Sequence, residues 1–144
     1  MQKPKSCFAR LSSILFTAML ISVFTFSDES HAVEWPTEKQ CKSVVKTADS
    51  VIKGWCAAIS RKAGNCLACH QAVVEPWPEG FPPGGNVGPP LVAMKARYPN
   101  KQELRAHIWD PTVRNPGTSM PPFGKHKLIS EQEIDDIVDW LLSI

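Results

Sequence analysis

Two cysteines stand three positions apart at Cys66 and Cys69, and His70 follows the second with nothing between them. No other feature of the 144 residues constrains the chain so tightly. Two thiols at this separation reach two vinyl groups on one edge of a porphyrin, and both become thioethers. The next residue then lies beneath the iron and offers its imidazole as the proximal ligand. Cys-x-x-Cys-His is the attachment pattern of a c-type haem. A chain carrying it folds around a large, flat, apolar plate. Two other uses of the motif are weaker. A zinc site wants a second ligand pair, and only Cys41 and Cys56 are left to supply one, without the usual close spacing. A redox dithiol is expected beside a strand-helix-strand pattern, which is absent from this sequence.

The N-terminus adds context. Lys3, Lys5 and Arg10 make a positive start, residues 11–26 are almost wholly apolar or small, and Ser30-His31-Ala32 offers small residues at a cleavage point. Residues 1–32 read as a secretory signal peptide cleaved after Ala32. The apolar run is shorter than the ~20 residues of a spanning helix, so no membrane anchor is expected after cleavage. Export leads to the bacterial periplasm, an oxidising compartment where c-type haem is attached. The two signals support one another.

Residues 33–144 then form one domain, too short for two cores and marginal for one without help. A covalent haem supplies that help. The formal charge of the whole chain is +2. Such near-balance argues against nucleic acid binding, which needs a clustered basic face. Cys7 leaves with the leader, Cys66 and Cys69 go to haem, and Cys41 and Cys56 remain as a pair. In an oxidising compartment they read as a disulfide, with two buried thiols as the other outcome. On one unbroken helix they would lie ~22 Å apart and could not bond. A bend near Ala48-Asp49-Ser50, where Asp49 or Ser50 caps a new helix, lets two helices fold back.

The remaining pattern is helical. Val51, Ile52, Trp55, Ala58 and Ile59 recur at helical spacing, and Gly64 is the expected stop. Residues 71–90 are crowded with Pro and Gly, which neither a helix nor a central strand tolerates, so they predict a wrapping loop. Trp77 and Phe81 within it are expected at the surface, as partner contacts or as a haem lid. Asn100 with Glu103 predicts a capped helix bearing Leu104 and Ile108, and Pro111 ends it. Ser130 and Glu133 form a capping box that opens a terminal helix bearing Ile134, Ile137, Val138 and Leu141 on one face. No convincing strand pattern appears.

The iron needs a sixth ligand or an open site. Met94, His107, Met120 and His126 are the candidates after cleavage. Met120 is favoured, because Pro121 and Pro122 stiffen its loop and the loop crosses late in the chain, just before the last helix. Met94 reads as core filler. His107 falls inside a helix and His126 in an exposed basic turn. Gly88-Pro89-Pro90-Leu91 offers a proline carbonyl to the second ring nitrogen of the proximal histidine, which would fix its orientation. Leu91 would then cover the haem face. Lys95, Arg97 and Arg114 are candidates to neutralise haem propionates, although surface solvation is the commoner fate of such charges.

The order helix, Cys-x-x-Cys-His, Gly-Pro-x-Leu, middle helix, Met-Pro loop, terminal helix resembles the small monohaem cytochromes c. The resemblance implies an all-α fold with long Pro/Gly-rich loops around one covalently bound haem c, its first and last helices crossing beside it. It implies attachment through Cys66 and Cys69, His70 as proximal ligand, Met120 as distal ligand, and a supporting contact from Pro89. More narrowly, residues 64–70, 85–91, 94–99, 108–111 and 120–126 resemble the SoxX family, monohaem subunits of the SoxAX thiosulfate-oxidising complex. That similarity implies a SoxA-like haem subunit as partner, where a cysteine persulfide carries the chemistry. It implies oxidative coupling of thiosulfate to a cysteine of a SoxYZ-like carrier, an L-cysteine S-thiosulfotransferase activity of the pair. The SoxX-like chain, not catalytic alone, accepts electrons and passes them to a soluble cytochrome c. A free periplasmic electron carrier is the alternative.

Overall fold

The computed structural model describes residues 33–144. The leader, Cys7 and the cleavage point after Ala32 lie outside the described residues. Helix α1 spans Glu38–Val44. The Gln40 side chain accepts from the Thr37 amide at its start, at 2.8 Å. A helix this short does not hold itself. It is pinned instead: Cys41 and Cys56 form a disulfide with a Cα–Cα distance of 5.5 Å. Trp55 Nε1 also donates to the Pro36 carbonyl at 2.6 Å. The expected bend is present at residues 45–49. The Asp49 carboxylate accepts from the Ile52 amide at 2.9 Å and starts helix α2, Ser50–Ile59. The two-thiol alternative is therefore set aside.

Helix α5, Glu131–Ser143, opens on the expected capping box, with the Ser130 amide donating to Glu133 Oε2 at 2.8 Å. It packs on α2 with the two backbones touching. A Cβ at Gly54 would lie 1.9 Å from the Asp136 carbonyl oxygen, so only glycine permits this crossing. Trp55 meets Trp140 there, ring centroids 5.5 Å apart, and Ile134, Ile137 and Val138 are buried around them. Trp35 also packs against Trp55, ring centroids 5.5 Å apart and tilted by 55°.

Between these helices lie α3, Met94–Arg97, and α4, Lys101–Trp109. Asn100 caps α4 by accepting from the Gln102 amide at 2.9 Å. Glu103 does not return the bond expected of it. Arg105 fastens α4 to α5, reaching Asp135 at 2.6 Å and Glu131 at 2.9 Å. Lys101 pairs with Asp139 on the same face. As expected, α4 stops before Pro111, which enters a 3-10 turn over Pro111–Val113.

Among the described residues there is no strand, only an isolated parallel bridge between Ala72 and Leu91. One expected boundary moves. Helix α2 ends at Ile59, not beside Gly64. The chain turns at Ser60 and doubles back, so that the Gly64 amide donates to the Ala57 carbonyl at 3.0 Å. Gly64 serves a close approach rather than a stop.

Candidate functional site

The motif follows directly on that turn. Cys66–Ala68 form a single 3-10 turn, and the His70 amide closes on the Cys66 carbonyl at 3.0 Å. This turn sends Cys66 inward and leaves Cys69 exposed. Burial, with a smaller push from Cys69, raises the Cys66 thiol to about 12. The redox reading lacks its strand-helix-strand frame, since among the described residues there is no strand. The zinc alternative also fails, because Cys41 and Cys56 are bonded to each other.

The wrapping loop holds the histidine. The Gly88 amide donates to the Cys69 carbonyl at 2.8 Å. His70 Nδ1 lies 2.7 Å from the Pro89 carbonyl oxygen, which can only accept, so Nδ1 carries the proton and Nε2 keeps its lone pair. A Cβ at Gly88 would sit 2.3 Å from His70 Cε1, and glycine alone leaves room for the ring. Leu91, anchored by its amide to the Gln71 carbonyl at 2.7 Å, is buried.

Cys66, His70, Leu91 and Met120 line one cleft. Its other walls are Ile108 of α4, Phe123 and Ile129 of the late loop, and Ile137, Trp140 and Leu141 of α5. Thr118 Oγ1 accepts from the Met120 amide at 3.1 Å and fixes that loop ahead of its two prolines. Pro89 reaches the cleft only through His70, and Cys69 does not line it. The other distal candidates lie elsewhere. Met94 is buried in α3 with its sulfur 3.5 Å from Arg97 Nη1, and His126 is exposed. His107 is half-buried beside Tyr98, ring centroids 6.1 Å apart.

Trp77 and Phe81 prove half-buried. Their rings pack on Trp55 at 6.1 and 6.0 Å, and neither lines the cleft. Arg97 donates to the Pro90 carbonyl at 2.8 Å, and Arg114 lies over Tyr98 at 6.0 Å. Sequence reasoning missed Trp140 and Phe123 as cleft walls. Trp140 carried a usable signal, since it lies three residues after Ile137 on the apolar face of α5.

An apolar cleft offering one imidazole lone pair, one thioether and a thiol from the attachment motif fits a c-type haem. Comparison with known proteins agrees. The family model described as cytochrome c oxidase, cbb3-type, subunit III matches residues 57–141. The chain belongs to that family. The match runs from within α2 to near the end of α5 and leaves α1 outside. Its cytochrome c domain implies a c-type haem. The crystal structure of SoxXA from P. pantotrophus is similar at 26% identity and a TM-score of 0.55, covering 65% of this chain and 80% of that one. The protein is a SoxX-like electron-transfer cytochrome with a small all-α cytochrome c fold. An uncharacterized lipoprotein of Aquifex aeolicus (strain VF5) is 34% identical over 83 residues, which make up 56% of this chain. The match covers only 36% of that relative's length. Among the described residues no helix is long and apolar enough to cross a membrane.

Proposed function

We propose that this chain carries one haem c through Cys66 and Cys69, ligated by His70 and Met120, and serves as the electron-accepting subunit of a SoxAX-type complex. The observation that carries the reading is the single cleft joining Cys66, His70 and Met120, with the Pro89 carbonyl on His70 Nδ1. A haem bound there supplies a one-electron iron couple, and methionine ligation raises its potential. The residues fit that task. The Pro89 contact fixes the tautomer that leaves Nε2 free for iron. Ile108, Phe123, Ile137 and Leu141 exclude water. No side chain of the cleft is placed to bind an anionic substrate.

The similarity to the SoxXA structure supports a SoxA-like haem subunit as partner, and the N-terminal sequence pattern supports export to the periplasm with removal of residues 1–32. In this reading the partner carries the reactive sulfur, and the pair couples thiosulfate to a cysteine of a SoxYZ-like carrier. This chain passes the electrons to a soluble cytochrome c. Val73 and Val87, 53% and 74% exposed on the loops that hold the site, give an apolar rim suited to such contacts.

Reconstitution tests the assignment. The chain alone should not conjugate thiosulfate to a carrier cysteine. With a SoxA-like subunit it should, and its haem should be reduced during turnover. Full conjugation by the partner alone, at unchanged rate with the same acceptor, would leave the free-carrier reading in its place.

A further inference from the structure

Thr118 ties the chain just before Met120. Beyond Met120 the chain is tied to the end of α4, at Trp109. The Gly124 and Lys125 amides both donate to the Trp109 carbonyl, each at 3.1 Å. That carbonyl belongs to the last turn of its helix, where backbone acceptors have no partner within the helix. The Trp109 ring lies against Gly124 itself. A Cβ there would sit 2.1 Å from Cε3 and 2.2 Å from Cδ2, so only glycine permits the approach. Lys125 Nζ adds a third tie, donating at 2.7 Å to Asp110, the residue after Trp109.

The tied segment is stiff up to Met120. The His126 amide donates to the Pro122 carbonyl at 3.0 Å, and the Leu128 amide to the Phe123 carbonyl at 2.9 Å, so residues 122–128 form one closed turn. Pro121 and Pro122 have φ fixed by their rings, which leaves few free torsions between that turn and Met120. The helix side is equally firm. Arg105 fastens α4 to Asp135 and Glu131, and its guanidinium carbon lies 5.3 Å from the Trp109 ring centroid. The clasp also adjoins the cleft on both sides: Trp109 follows Ile108 and Gly124 follows Phe123, and both of those are cleft walls.

We infer that Trp109 is a positioning residue for the distal ligand, its carbonyl and its ring clasping the Gly124 turn so that Met120 is presented to the cleft. The inference rests on the haem reading above. A ligand stays in place only as well as supporting contacts hold the loop that carries it. Loosening the clasp should therefore act on the bond between sulfur and iron, and not only on the stability of the fold.

The test uses purified holoprotein. In Gly124→Ala the turn and the ring must part by about 1.3 Å to reach ordinary contact at 3.4 Å. The helix is fastened, so the turn retreats. The oxidised protein should lose far-red sulfur-to-iron absorption, and its midpoint potential should fall. Added imidazole, which reaches the iron only where Met120 has left it, should bind roughly fivefold tighter or more. Trp109→Ala should do the same, while Trp109→Phe should keep most of the parent behaviour. In Trp109→Ala the methyl of Gly124→Ala meets no ring, so the double variant should be little worse than Trp109→Ala alone. The Trp109 pair of variants carries the test if Gly124→Ala fails to fold. Cys41→Ala/Cys56→Ala is the control for general destabilisation, since neither cysteine lines the cleft, and its imidazole affinity should match the parent's. Gly124 and Trp109 variants that lose stability like this control, yet keep the parent's absorption and imidazole affinity, overturn the proposal. Additive effects in the double variant overturn it as well. A parent that itself lacks the sulfur-to-iron absorption ends the reading of Met120 as ligand, whereas a parent that has it, with unchanged variants, ends this inference alone.

Discussion

Replacing Gly88 by alanine puts a methyl group where the His70 ring now lies. The new Cβ would be 2.3 Å from Cε1, 2.6 Å from Nδ1 and 2.8 Å from Nε2, where ordinary contact begins at 3.4 Å. Ring or loop must retreat by about 1 Å to restore an ordinary contact. The loop is tied by the Gly88 amide on the Cys69 carbonyl at 2.8 Å, so the ring is the part that moves. It then leaves the Pro89 carbonyl, now 2.7 Å away. The lost bond costs about 1 kcal/mol, and overpacking typically adds about 1–3 kcal/mol. The sum, roughly 2–4 kcal/mol, outweighs the ~0.4–1 kcal/mol that Gly→Ala gains by restricting the unfolded chain. The net loss, roughly 1–3.6 kcal/mol, should therefore lower thermal unfolding by roughly 4–14 °C, at about 4 °C per kcal/mol for a domain near 100 residues. Under the haem reading the potential should also rise, because an imidazole without its carbonyl partner is a weaker donor to iron. Gly117→Ala is the control: its nearest neighbour is Asn115 Oδ1 at 3.7 Å, so it should be neutral or slightly stabilising. Denaturant unfolding and potentiometry of the three proteins decide the matter. A Gly88→Ala protein as stable as Gly117→Ala, with an unshifted potential, would refute the argument.

Other consequences are smaller in scope. Cys41→Ala/Cys56→Ala should lose about 3 kcal/mol in denaturant unfolding, the loop-closure value for a separation of 15 residues, while the haem spectrum stays unchanged. Asp139 is held below the ordinary carboxylate range, chiefly by its hydrogen bond to Lys101. Its contribution is present above the unfolded value of about 3.9 and disappears as pH falls through the lowered folded value. Asp139→Asn should therefore lower stability a little at neutral pH, by less than about 1 kcal/mol since the pair is partly exposed, and leave it unchanged in strong acid, which flattens the acid limb.

Features that rest on neighbours in sequence were legible from the residues. The Ser130–Glu133 box, the Asp49 cap and the Pro111 stop each depend on side chains within three or four positions, and all three are present. The disulfide needed one further step, the bend that brings α1 back onto α2. Features that rest on distant neighbours were hidden. Gly64 read as a helix stop because nothing local shows that its amide returns to Ala57. Trp77 and Phe81 read as surface because a Pro-rich loop does not reveal that Trp55 waits beneath it. The need for glycine at Gly54 exists only once α5 lies across it. At the cleft, the motif and the stiff loop pointed to Cys66, His70 and Met120, which line it together, and to Cys69, which does not. Trp140 was signalled by its place on the apolar face of α5, whereas Phe123 sits on a loop and emerged as a wall only once that loop met α4 and α5.

The division between frame and loops bears on what the centre can do. The α2–α5 crossing admits one register, because the Gly54 contact leaves no room for sliding. The proposed donors sit on loops, and each loop is tied by a short bond: His70 to Pro89, Gly88 to Cys69, Met120 to Thr118. The cleft walls contributed by α4 and α5 are aliphatic apart from the Trp140 indole. Under the proposed function such a centre exchanges electrons with little rearrangement and offers substrate neither an anchor nor a base, so chemistry on sulfur falls to a second subunit.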